Sequence, residues 1–199
     1  GGEVLLRVAL VRSVLLPLGR PAEAERELRE VLSALADGTE RVEVLLDLGR
    51  AVARGRDPQS ALGWFEEARL VAARLDRPEL ALVASSEAGT VLTRLGRAVE
   101  GAALQEAALE HPSLRADPLM VASFRQRLAT TYNLLGRNDE ALALLDRVVQ
   151  SAVHSGSAPS EATARAFVGR DEEQARLASF REPVQQFLIR IEEFRRRHR

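Results

Sequence analysis

The sequence predicts an all-α fold made of antiparallel helix pairs, and three observations carry that prediction. A helix-turn-helix unit recurs four times, marked by the turn glycines Gly19, Gly55, Gly96 and Gly136 at intervals of 36, 41 and 40 residues. Apolar residues return every three or four positions through most of the chain, the amphipathic-helix signal. Proline stands where helices would begin, at Pro21, Pro58, Pro78 and Pro118, a place that tolerates a missing N–H. Strand signals are absent.

The elements follow in order. A first helix is expected over 4–17, closed by the turn at Gly19, and a second over 22–36, opened by Pro21. The third spans 40–54 and stops at Gly55; Asp57 is a candidate N-cap for the fourth, 58–75. Pro78 opens the fifth, 78–95, and Gly96 closes it. The sixth, 98–110, ends at His111-Pro112. Asp117 caps the seventh, 117–135, and Asn138 the eighth, 138–154. This makes four antiparallel pairs over residues 1–154, a linker or long turn at 155–160, and C-terminal capping or interaction helices over 161–199.

Composition narrows the class without naming a task. Of 199 residues, 46% are hydrophobic and 29% charged, enough to bury a core. A net charge of −1 gives no global attraction to nucleic acid or anionic membrane. The chain has no cysteine, which excludes disulfides and thiolate metal sites. Val4 to Leu18 is interrupted by Arg7 and Arg12, so neither a signal peptide nor a membrane span is expected, and a cytoplasmic location is. Lysine is absent, and every basic residue other than three histidines is arginine. GC-rich coding, as in actinobacteria, accounts for that bias; bidentate anion recognition by arginine is the alternative.

The repeat resembles the tetratricopeptide family. The cleanest copy is Tyr132-Asn133-Leu134-Leu135-Gly136-Arg137-Asn138-Asp139-Glu140-Ala141-Leu142. A small residue in mid helix A recurs as Gly49, Gly89 and Ala129, with a large one three positions on at Leu15, Val52, Leu92 and Tyr132. Helix B carries small residues at Ala24, Ala61, Gly101 and Ala141, and four positions later Leu28, Phe65, Gln105 and Leu145. Small or β-branched residues return at Val31, Ala68, Ala108 and Val148. Two departures stand out. Arg12 replaces the small residue of the first repeat, which implies a degenerate end repeat, and Gln105 replaces a large apolar one. The period is near 40 rather than 34. That long, arginine- and leucine-rich form looks like the repeats of bacterial LuxR/MalT-like and STAND signalling regulators. The resemblance implies a right-handed superhelical α-solenoid whose concave groove is lined by helix A.

Carried over residue by residue, the family pattern places Glu43, Asp47, Arg50 and Arg54 in that groove from the second repeat. Ser86, Thr90 and Thr93 come from the third, and Gln126, Arg127, Thr130 and Asn133 from the fourth. Mixed polar groups of this kind suit an extended peptide or a partner helix. The bland alternative is a solvated helix face. A carboxylate clamp is not expected: the chain has no lysine, and Leu46 and Arg50 fall at the lysine–asparagine positions. The expected function is a protein or peptide interaction module of a bacterial regulator, with no cofactor.

The tail is read from sequence alone. Phe167-Val168-Gly169-Arg170-Asp171-Glu172-Glu173-Gln174-Ala175-Arg176-Leu177 resembles the opening of AAA-type and STAND ATPase domains. No phosphate loop occurs in the chain, and none could without lysine. Capping helices, the first turn of an ATPase domain and an interaction segment all remain open. Over 183–198, Phe187, Leu188, Ile191 and Phe194 form an apolar stripe that would pack on the array or mediate self-association. The terminal Arg195-Arg196-Arg197-His198-Arg199 run lacks interleaved aromatics, so nucleic-acid binding is not expected. Catalysis is not expected either. His111, His154 and His198 stand some forty residues apart, and adjacent glutamates such as Glu66 and Glu67 point about 100° apart on a helix.

Overall fold

The computed structural model describes residues 2–55 and 57–154; the expectations for 155–160 and 161–199 lie outside that range. The described residues form eight α-helices and no strand: α1 (Gly2–Leu10), α2 (Pro21–Ala34), α3 (Thr39–Arg54), α4 (Pro58–Arg74), α5 (Pro78–Arg94), α6 (Ala98–Glu110), α7 (Pro118–Leu134) and α8 (Asn138–His154). Odd-numbered helices are the A members of the pairs, even-numbered the B members. Seven of the eight lie within about two residues of their expected limits. The exception is the first, where α1 passes into a π-helical segment, Val11–Leu15. A short 3-10 turn, Pro112–Ala116, joins α6 to α7 and was not foreseen.

The helix starts show why the chain breaks where it does. Pro21, Pro58, Pro78 and Pro118 are each the first residue of a helix. The Asp57 carboxylate accepts from Ser60 N–H at 3.3 Å, and that of Asp117 from Leu119 and Met120 N–H at 3.0 Å. Asn138 is not the expected cap. It is the first helical residue, and its buried Oδ1 has no hydrogen-bond partner.

A different device serves the remaining turns. Gly19, Gly96 and Gly136 adopt φ of 67°, 81° and 73°, and Asp76 takes the same left-handed role at 53°. The arginine that follows sends its N–H back to the helix just ended, as in Arg97 to Leu92 O at 2.9 Å. Its side chain then clips a glutamate two or three residues on: Arg20–Glu23, Arg77–Glu79, Arg97–Glu100 and Arg137–Glu140. Gly55 departs from this rule, with φ −79°.

Helices pack chiefly on their sequence neighbours, and the A helices also touch one another, α3 on α5 and α5 on α7. No contact of that extent joins successive B helices. An array closer on its A side curves toward that side, so the A helices line the inner surface. The main apolar core runs from Val11 and Leu15 through α2, α3 and α4 into α5. A second cluster joins α6, α7 and α8, and Leu114 of the 3-10 turn fills a third with Leu82, Ala108 and Phe124.

Small residues decide how closely A meets B. A Cβ on Gly49 would lie 2.6 Å from the Phe65 ring. One on Gly89 would lie 2.7 Å from the Gly101 carbonyl oxygen, and one on Gly101 would lie 2.5 Å from that of Gly89. At the third pair, the two backbones themselves are in contact.

Candidate functional site

The inner surface is organised by one chain of ion pairs that crosses all four pairs. Arg12 donates through Nε to Asp47 at 2.5 Å and reaches Glu43 at 3.3 Å. Asp47 also accepts from Arg50 at 3.0 Å, and Arg50 continues to Glu87 at 2.7 Å. Glu87 closes the run with Arg127 at 2.8 Å. Charges alternate along the order Arg12, Asp47, Arg50, Glu87, Arg127. Each acid sits between two guanidiniums.

Burial gives this ladder its strength. The carboxylates of Asp47 and Glu87 are nearly closed to solvent, which would be costly without partners. Burial alone would push Glu87 up, but the charges of Arg127 and Arg50 and their hydrogen bonds prevail and hold it below the usual 4.5. Arg50 is likewise raised: burial opposes its charge, and Glu87 and Asp47 outweigh that. Arg12, which the repeat pattern marked as a degenerate position, is the first rung.

A second, uncharged network lies beside it. Gln105 is 1% exposed and fills the place taken by Leu28, Phe65 and Leu145 in the other pairs. Its amide donates to Thr90 Oγ1 at 3.2 Å, and its carbonyl accepts from Thr131 at 2.8 Å. Thr131 lies 3.2 Å from Thr93, whose hydroxyl donates to Gly89 O at 2.9 Å. Three helices are thereby tied through one glutamine. We expect Gln105→Ala to cost roughly 3 kcal/mol by opening a cavity among them. Gln105→Leu should cost about 1 kcal/mol or less, because Thr90 and Thr131 already have the carbonyls of Ser86 and Arg127 within reach. Urea midpoints of the two variants check this; equal losses would mean that the hydrogen bonds of Gln105, and not the space it fills, hold the three helices together.

The eleven residues expected to line the groove divide accordingly. Asp47, Ser86 and Thr93 are buried and offer no open surface, and the Ser86 hydroxyl has no partner. Arg50 and Arg127 are committed to the ladder, Thr90 to Gln105, and Glu43 to Arg12. Thr130 is exposed and bonds only its own helix, at Gln126 O. That leaves Arg54, Gln126, Thr130 and Asn133 open to a partner. Sequence reading missed Arg94, which occupies the register of Arg54 one repeat later, just as Leu92 matches Val52. Both arginines are exposed at the ends of their helices and lack an acidic partner among the described residues. It also missed Tyr132, whose phenol donates to Glu106 at 2.7 Å beneath the Arg137 guanidinium, 3.7 Å from the ring centre. Burial and the Glu106 carboxylate push this phenol up to about 12.

Among the described residues, no group of three or more histidine or carboxylate side chains could hold a metal ion. No described helix is long and apolar enough to cross a membrane.

The same architecture occurs in solved structures. A Podosopora anserina protein described as a kinesin light chain with nearly identical TPR-like repeats superposes with a TM-score of 0.63 at 20% identity. The match covers 99% of this chain and 97% of that one. A point-substituted variant of that protein gives 0.64 at 20% identity, over 98% and 96%. The fold is that of a TPR-like repeat array. No protein-family model matches the sequence, and no curated protein does. At this identity the TPR-like likeness is one of architecture.

Proposed function

We propose that this TPR-like array is a protein-interaction module of a bacterial regulator, which holds a peptide or partner segment along the inner surface of its A helices. The observation that carries the reading is the division of labour on that surface. The ion-pair ladder fixes the A helices relative to one another, while Arg54, Arg94, Gln126, Thr130 and Asn133 stay uncommitted around it. Exposed arginine and amide groups on a rigid support can bond a main chain and an acidic side chain without reorganisation. The regulator context is supported by the long-period resemblance, and the bacterial source by the lysine-free composition.

A random peptide library selected on the whole chain tests the proposal. Selected peptides should bind Arg54→Glu and Asn133→Ala about tenfold more weakly, and the outer-surface variant Arg69→Glu equally well. Equal affinity for all three variants would remove the inner surface from the account. Arg50→Glu is unsuitable here, because it breaks the ladder as well as the surface. A second reading, a relay arm beside a STAND/AAA-type ATPase domain, is favoured only by the Val168-Gly169-Arg170 segment. A phosphate-loop motif encoded after Arg199 would support it.

A further inference from the structure

We infer that the partner held on the inner surface is an extended acidic segment, with two carboxylates three residues apart and an apolar side chain three residues further on. This rests on the interaction-module reading above and names the partner's chemistry.

One register position of the A helices carries the inference. Arg54, Arg94 and Leu134 are the last residues of α3, α5 and α7. Each stands two positions after a buried residue of the pair interface, Val52, Leu92 or Tyr132. All three are exposed, Leu134 by 54%, and they form one row across three neighbouring helices. The row is open within the array and not only at its margin: α5 touches both α3 and α7, yet Arg94 is exposed.

The two arginines stand apart from the others. Every other arginine with a described side chain from Arg7 to Arg97 is ion-paired. Arg54 and Arg94 have no acidic partner among the described residues. The acids of the A helices, Glu3, Glu40, Glu43, Asp47, Glu79 and Glu87, all lie seven or more residues before the ends of their helices. That is roughly 10 Å or more along the axis. In the adjoining turns Asp57 caps Ser60 and Glu100 holds Arg97. A helix C-terminus favours a cation in this place, but the dipole leaves the planar guanidinium fork free. That fork matches a carboxylate through two parallel bonds.

Geometry sets the spacing. Packed helices stand about 8–10 Å apart. A chain in the polyproline II form advances about 3.1 Å per residue with three residues per turn, so every third side chain lies on one face about 9 Å from the last. Such a segment sets an acid on Arg54, an acid on Arg94 and an apolar side chain on Leu134. Exposed Asn133, beside Leu134, adds an amide that both donates and accepts. It suits the free N–H and C=O groups of an extended main chain, which a helical partner keeps for itself.

The random library selected on the whole chain reads this directly. Selected peptides should carry Asp or Glu at two positions three apart, with a large apolar residue three further on, in one chain direction or the other. A fluorescein-labelled synthetic copy of the most enriched peptide should bind Arg94→Glu at least about tenfold more weakly. Replacing its middle acid with arginine should recover most of that loss on Arg94→Glu. Arg94→Gln, which drops the charge alone, serves if Arg94→Glu folds poorly. Leu134→Ser should abolish the preference for the apolar residue. Peptides that lose affinity for Asn133→Ala yet lack the spaced acids, or ignore Arg94→Glu, overturn this inference and leave the interaction-module reading standing. Binders indifferent to every inner-surface substitution overturn that reading, and this inference with it.

Discussion

Gly101→Ala is expected to be among the most damaging single-methyl changes in this protein. The added carbon would stand 2.5 Å from the Gly89 carbonyl oxygen and from Thr93 Oγ1, and a backbone oxygen cannot swing aside as a side chain can. α5 and α6 must separate, and the Gln105 network between them loses its geometry. Overpacking of this kind costs up to about 3 kcal/mol, and alanine's better helix propensity returns only about 1. A net loss of about 2 kcal/mol in urea unfolding is the expected result, with Gly89→Ala similar. Gly63→Ala is the matched control. A Cβ there meets nothing within 4 Å, so the same substitution in mid-helix should stabilise by about 0.5–1 kcal/mol. If all three glycines tolerated alanine alike, close backbone contact would not set the spacing of the third pair.

Breaking the ladder is the second large effect, and its size depends on pH. Arg50→Leu leaves Asp47 and Glu87 with one cation each in a nearly closed setting, a loss of about 2 kcal/mol at neutral pH. Glu87 supplies the pH test. Its carboxylate is held below its usual value of 4.5 in the folded chain, so the unfolded chain binds the proton first. The stability it contributes is fully present above about pH 4.5. It is lost as the pH falls through the folded value. Glu87→Gln should therefore be clearly less stable than the parent at pH 7 and approach it in acid. Urea midpoints at several pH values decide the matter: a gap that stays constant down to acid would mean that Glu87 acts through packing rather than charge.

Several of these features could be read directly from the sequence. Periodicity, turn glycines and N1 prolines located all eight helices, because each reports a local backbone requirement. The groove residues were harder. Asp47, Ser86 and Thr93 were assigned to an open surface by register, but register gives direction and not depth. All three are closed to solvent once the helices have packed. Arg12 and Gln105 looked like lapses from the repeat pattern for the same reason: a pattern of sizes has no place for a partner 35 or 26 residues away.

Sequence alone determined the helix pairs, their order and the small residues where A meets B, since these follow from propensity, capping and side-chain size. Tertiary structure decided which polar groups are spent on one another and which remain free. It also revealed the π-helical segment that continues α1. Hydrogen bonds and ion pairs between helices depend on differences in helix spacing of about an ångström or less, and those are fixed only when the pairs have packed.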